Sequence, residues 1–478
     1  MSDPLALLPF AVAAGAGSID GTDAQGWVAA GHTLLTRSAP LVRALANGRA
    51  GILLPPGGAF LTALAASDGR GAVLINPLAA KPEIVRQLVD AGVTAVFTNA
   101  ALSGRLPADF PRVLMDEAPR SAFVQVPGRE QRVDLGSHFG MRIEGSTDAS
   151  GREEEAVIIY TSAMAGTPLG AILTHANLIS NARVSAEALG DEPRDHCLAA
   201  LPFAHLFGLV VCACAPLLNG GRVTTMDRFH PGRALEFIEQ QQVTRFMGVP
   251  SMYAAMLNAM QRRREPIHSH VLRVCLVGGA PVSEQLQERW FNATGIELRQ
   301  GYGLTEASPA VTLTRADATN ERGTMGTAVA ATEVSIRHRE TGVLMSDECE
   351  GEICVRGPHV FRGYVSGGEN GLLVHDGWLK TGDLGVKHAN GALSFRGLIK
   401  PMFTRNGFNI YPREIEDALM RMPGIQFAQA WGVPEAQKEN DVAVRVGGAV
   451  SETDVKRWAQ QQLAAYKVPS HIEIGASQ

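Results

Sequence analysis

Twice along this chain, short apolar runs alternate with amphipathic helical patterns, and that rhythm restricts the fold more than any other feature. Within residues 51–115 the order is "AGILLP" as strand, "GAFLTALAASDG" as helix, "GAVLINP" as strand, "KPEIVRQLVDAG" as helix and "VTAVFTN" as strand. From 220 to 300 it returns as "GRVTTM", "RALEFIEQQQ", "VTRFMGVP", "SMYAAMLNAMQRR", "VLRVCLVGG" and "SEQLQERWFNATG". Strands separated by helices in this order build parallel sheets through right-handed crossovers. Two such blocks predict two α/β subdomains packed together.

The character changes after residue 310. "GEICVRG", "DGWLKTGDLG" and "GALSFRG", within 323–396, are short alternating runs between turns, the pattern of antiparallel strands in a small β-barrel-like part. From Gly407 a compact tail follows, with "REIEDALMRM" and "SETDVKRWAQQQLA" as helices and "IQFAQAWGVP" and "DVAVRVGG" as strands. Ser451 with Asp454 outlines a capping box, with Asp in place of the usual Glu. The expected fold class is α/β, with a large N-terminal domain over 1–399 and a small α+β C-terminal domain over 400–478.

The bulk numbers fit this division. At about 150 residues per domain, 478 residues make roughly three domains or subdomains. A net charge of −5 with no basic stripe argues against nucleic acid as a partner. Six cysteines lack zinc spacing and read as buried free thiols in a reducing compartment. Asp3 and Pro4 stand where a signal peptide would carry basic residues. The most apolar run, Leu206–Leu218, is shorter than the ~18 residues of a membrane span and holds Pro216, so a buried core helix is expected. These readings together predict a cytoplasmic protein with no membrane span.

The stretch "AVIIYTSAMAGTPLGAILTHANL" (156–178) reads as a strand, a small-residue turn over Thr161–Gly170 and a helix opening at Thr174. That order aims backbone N–H groups at an anion. Four further segments follow: "LPFAHLFG" (201–208), "VGGAPVS" (277–283), "QGYGLTEASP" (300–309) and "GWLKTGDLG" (377–385). Each alone has a plain structural reading: "GYG" as a turn, Glu306 as a helix-terminal carboxylate, Asp383 as a turn residue, His205 as a core histidine. In this order, extended by "GEICVRGPHVFRGY" (351–364) and "NGFNIYPREIE" (406–416), the set resembles the adenylate-forming superfamily. That superfamily comprises acyl-CoA synthetases, luciferases and peptide-synthetase adenylation domains. The resemblance covers residues 50–470.

The resemblance implies a two-step reaction and a small C-terminal domain that moves between the steps. A carboxylate attacks the α-phosphate of ATP, giving an acyl-adenylate and pyrophosphate. A thiol, of coenzyme A or of a carrier protein, then attacks the acyl carbon. It further implies that Tyr302 faces the adenine, with Gly279 and Ala280 allowing close approach and Gln300, Gly301 and Gly303 framing the same pocket. Thr305 would donate to the α-phosphate and Glu306 would hold Mg²⁺. Asp383 would accept both ribose hydroxyls, and Thr161, Ser162, Gly166 and Gly170 would meet the phosphates. His205 would stand by the acyl entrance, and Gly407 would line the thiol tunnel. The partners so implied are a small carboxylic acid, ATP and the thiol.

Four departures qualify it. The phosphate loop has Leu169 where the family has lysine, and lacks a glycine and two hydroxyls. The arginine of the family's "GRxKD" is replaced by Leu398; Arg396, two residues back on the same face of an alternating strand, is expected to substitute for it by reach. The hinge aspartate is Pro401, whose fixed φ predicts a stiffer domain arrangement. The sequence stops at "GASQ", before the family's "TGK" segment, so either it is truncated or that lysine is absent; Lys467 belongs to the "YKVP" turn, and if the "TGK" lysine is absent, slow adenylation is expected while thiol transfer could survive. The leading reading is an acid–thiol ligase. The alternatives are a pseudoenzyme that binds AMP or an acyl-adenylate, and a member using the acyl-adenylate for carrier-protein transfer or ring closure.

Overall fold

The computed structural model describes residues 8–46, 48–67, 71–115, 121–136, 154–161, 168–265, 267–365, 374–375, 377–399, 402–435 and 438–475. Ser162, Gly166 and Pro401 lie outside them, so the expectations on the loop centre and the hinge do too.

Both α/β blocks form. In the first nine-stranded sheet, Arg49–Leu53 lies between the parallel strands Ala72–Leu74 and Val93–Thr98. The helices Gly58–Ala66 and Lys81–Asp90 make the crossovers. In the second, Arg222–Thr225, His196–Ala199, Arg245–Gly248, Val274–Val277 and Leu298–Gly303 run side by side in parallel. One apolar core joins the two sheets: Ile52, Leu74 and Phe97 of the first belong with Leu198, Phe246 and Leu276 of the second. Phe60 meets Phe203 edge-on across that core, with ring centroids 5.6 Å apart. The run at 206–218 is the expected buried helix, wound as a π-helix over Phe207–Cys214 and as an α-turn over Ala215–Leu218. Among the described residues, no helix is long and apolar enough to cross a membrane.

The segment after the phosphate loop differs from the expectation. Leu169–Thr174 is a strand, paired antiparallel with Glu155–Thr161 and on its other side with Gly363–Tyr364. Gly170 lies within that strand rather than in the turn. A Cβ there would come within 3.0 Å of Ile158 and 3.1 Å of Tyr160, so the residue serves a close approach in the sheet. The helix His175–Leu189 opens at Thr174, its N-cap, as expected. A capping box closes its start: Thr174 Oγ1 accepts from Asn177 N (3.1 Å) and Asn177 Oδ1 accepts from Thr174 N (2.9 Å). The Thr174 side chain and the Asn177 side chain thus satisfy two of the N–H groups at this helix start.

A five-stranded antiparallel sheet follows, with Trp378–Lys387 paired to Glu350–Arg356, Val374–His375 and Leu393–Leu398. The large domain is succeeded by a small one with its own core, in which Ile410, Ile415, Leu419, Val444 and Val455 are buried together. Its strands Ile425–Glu435, Glu439–Gly448 and His471–Gly475 form one sheet, accompanied by the helices Pro412–Met420 and Glu452–Gln462. Ser451 caps the latter through Asp454 N (3.2 Å), but its hydroxyl also donates to Asp454 Oδ2 (2.6 Å). The shorter Asp side chain binds the cap hydroxyl instead of reaching back to the cap N–H.

Candidate active site

Two strands and a 3₁₀ turn bring the expected nucleotide residues together. Tyr302 is near the end of Leu298–Gly303, Glu306 lies in the 3₁₀ turn Thr305–Ala307 just beyond it, and Asp383 is in the middle of Trp378–Lys387. The Tyr302 hydroxyl donates to Asp383 Oδ2 at 2.6 Å. These two residues, expected to hold different parts of the nucleotide, are therefore coupled to each other. Burial, and then the Asp383 charge, push the Tyr302 hydroxyl pKa well up, so it remains a donor. Asp383 is pushed up to about 6, chiefly by burial and further by the charges of Glu306 and Glu352, while the Tyr302 bond pulls it down. Asp383 N donates to Thr381 Oγ1 (3.1 Å) and Gly382 N to Glu352 Oε1 (3.2 Å), which holds the "TGD" turn against the neighbouring strand.

Glu306 is held from two sides. Thr161 Oγ1 donates to its Oε1 at 3.1 Å and the Tyr364 hydroxyl donates to the same oxygen at 2.8 Å. Thr161 thus joins the site, at the mouth of the phosphate loop. Leu169 is the residue directly across the hairpin from it, so an apolar side chain takes the place of the missing cation. Among the described residues, no three metal-ligating side chains gather. Glu306 is the carboxylate here that could take Mg²⁺, an ion commonly held by one or two carboxylates and substrate phosphates. Gln300, on the strand that leads to Tyr302, is buried, and its Oε1 has no hydrogen-bond partner.

The small domain completes the crevice. Phe408, in the hairpin formed by Phe403–Arg405 and Phe408–Ile410, lies 5.9 Å from the His205 ring, centroid to centroid, and stacks on Tyr466 at 4.3 Å and 17°. His205 keeps an exposed face, and the surrounding protein and the Lys467 charge lower its pKa. Gly407, at φ +77°, presses on Val249, which also borders Gly279: a methyl group at Gly407 would lie 2.6 Å from the Val249 side chain. Gly407 N donates to Glu439 Oε2 at 3.1 Å, and Ser251 of the large domain lies against the same carboxylate. Tyr411, just past this hairpin, is near enough to Glu306 and Asp383 for their charges, after burial, to raise its pKa.

The structure does not bring Arg396 in as expected. A β-bulge interrupts the pairing, with Leu384 opposite Gly397 but Gly385 opposite Phe395. Arg396 is the extra residue, exposed, and the period of two that would align it with Leu398 is broken. Tyr364, Glu352, Tyr411 and Glu439 were not singled out from the sequence. Tyr364 and Tyr411 sit inside the segments "GEICVRGPHVFRGY" and "NGFNIYPREIE", where a hydroxyl amid charged and glycine residues was the available signal.

The model of the AMP-binding enzyme family matches residues 44–365. The chain belongs to this family. Among other AMP-binding enzymes, a long-chain-fatty-acid–CoA ligase of Bacillus subtilis (strain 168) is 31% identical over 326 residues, 67% of this chain and 58% of that ligase. A feruloyl-CoA synthase of Amycolatopsis sp is 32% identical over 437 residues, 89% of this chain and 84% of the synthase. A malonyl-CoA ligase, solved in a ternary product complex with methylmalonyl-CoA and AMP, superposes with a TM-score of 0.79 at 23% identity and full coverage of both chains. At that identity the likeness is one of fold: a large N-terminal and a small C-terminal domain.

Proposed function

We propose that this AMP-binding enzyme is an ATP-dependent acid–thiol ligase that passes an acyl group, through an acyl-adenylate, to coenzyme A or a carrier thiol. The observation that carries the reading is the convergence of Tyr302, Asp383 and Glu306 on one crevice that the Gly407–Phe408 hairpin covers beside His205. The ring of Tyr302 offers the adenine a face, and ionised Asp383 accepts the ribose hydroxyls. Thr305 would donate to the α-phosphate, and Glu306 would hold Mg²⁺, which would offset the charge of the phosphates. An oxygen of the substrate carboxylate attacks the α-phosphorus and pyrophosphate departs. The thiol sulfur, arriving past Gly407, then attacks the acyl carbon and AMP departs. The likeness to fatty-acyl and feruloyl ligases supports an acyl substrate.

A second feature supports a phosphorylated thiol carrier. A cavity of about 650 Å³ opens between the domains, with Lys81 and Arg105 on the large-domain side and Arg405 and Lys456 on the small. Arg405 is paired with Asp441, which leaves Lys81, Arg105 and Lys456 as the cations that suit the phosphates of coenzyme A. The free state of all six cysteines supports a reducing, cytoplasmic setting. We take 1–399 and 400–478 as the two working units.

Leu169 favours a second reading, in which the protein holds AMP or an acyl-adenylate but activates acids poorly, since its side chain cannot neutralise phosphate charge. One experiment separates the two. The protein is incubated with ATP, Mg²⁺ and a panel of carboxylic acids, and pyrophosphate is followed; a synthetic acyl-adenylate with coenzyme A is then supplied and thioester measured. Pyrophosphate release that Glu306→Gln abolishes supports the ligase. Thioester without pyrophosphate supports a transfer enzyme, and neither product, with AMP still bound, supports the second reading.

A further inference from the structure

We propose that Glu83 is a positioning residue for the thiol-transfer step, acting through a buried clasp with Lys467 that docks the small domain and builds the cationic cleft. This rests on the ligase reading above. Lys467 lies in the small-domain turn Ala465–Lys467, and its Nζ donates to Glu414 Oε1 at 2.6 Å and to Glu83 Oε1 at 3.0 Å. Glu414 belongs to the small-domain helix Pro412–Met420, whereas Glu83 belongs to the large-domain helix Lys81–Asp90. The lysine side chain is 8% exposed and both glutamates 5%. In the docked state these charges are already out of water, so the pair fixes how the two domains seat, and removing one partner leaves the buried lysine with less compensation.

The clasp sits between the two parts of the thiol site. On one side, Tyr466 stacks on Phe408, which meets His205, so the turn that carries Lys467 also seats the hairpin over the reacting groups. On the other, Ala80 and Lys81, next to Glu83, and Ala465 and Val468, next to Lys467, are walls of the cleft. Each wall comes from a different domain, so the shape of the cleft depends on how the clasp seats the two.

Glu83→Gln isolates this role. Glu83 Oε2 accepts from Ala80 N at 2.7 Å and caps its helix, and the amide oxygen of glutamine can keep that bond. Lys467 keeps Glu414, so the small domain retains its own pair. In the full-length variant, pyrophosphate release should stay within about twofold of wild type, while KM for coenzyme A in thioester formation from a preformed acyl-adenylate rises at least about tenfold. The melting temperature should be unchanged. An unchanged KM, or an equal fall in both half-reactions, would overturn the proposal. If the wild type itself makes no thioester, the ligase reading fails, and small-angle scattering decides the clasp alone. A larger radius of gyration in Glu83→Gln upholds it, and superimposable profiles refute it.

Discussion

Asp383 carries the clearest trade between stability and binding. Its pKa is raised to about 6, so at neutral pH the folded protein holds an ionised carboxylate that the unfolded chain would hold more easily. The folded state therefore gains stability, relative to the unfolded, as pH falls through about 6, and the gain is complete near pH 4. Asp383→Asn keeps an acceptor for the Tyr302 hydroxyl and removes the charge. It should stabilise the protein by about 1–2 kcal/mol at pH 7.5, with the difference shrinking below pH 6, as read by denaturant titration. Binding should move the other way. Adenosine, which brings no titrating phosphate, should bind wild type about fourfold more weakly at pH 5.5 than at pH 7.5, and the Asn variant should show no such slope. A flat wild-type profile would remove Asp383 from the ribose contact. The same scale shows what the sequence could not convey. Tyr302 and Asp383 were each legible as motif residues, but their mutual bond spans 81 positions and no local pattern encodes it.

At the level of elements, the hairpin around Gly407 makes the sharpest steric demand. Gly407→Ala places a methyl 2.6 Å from Val249 and keeps a non-glycine residue at φ +77°, so the hairpin must lift from the large domain. Thioester formation from an acyl-adenylate should fall by at least about tenfold, at a steric and torsional cost above about 1 kcal/mol. Val249→Ala in the same background should recover part of the loss, the torsional part remaining. Failure of any recovery would show that the contact does not limit the step. Elements with a strong period were legible: the alternating strands and amphipathic helices of both α/β blocks fall where their patterns put them. "LGAILT" was not, because a short apolar run fits a strand or a helix start equally, and its partners on both sides are remote in sequence. The bulge at Arg396 had a readable signal in Gly397, since glycine inside a strand often marks one.

For the whole molecule, the two sheets and the attached small domain follow from the repeated strand–helix rhythm and the change of pattern after residue 310. The docking of the domains does not, because it depends on contacts such as Lys467 with Glu83, 384 positions apart, and Gly407 with Val249. Those contacts bring Phe408 of the small domain against His205 and set the walls of the cleft between Lys81 and Lys456. The account stands or falls on the crevice accepting a mononucleotide. Calorimetric titration of AMP at pH 7.5 tests this most directly, with wild type beside Asp383→Ala. We expect saturable one-to-one binding to wild type and at least about tenfold weaker binding to the variant, the loss of a charge-assisted hydrogen bond pair, with both proteins folded. No heat of binding to wild type, or equal affinity in the two, would contradict it.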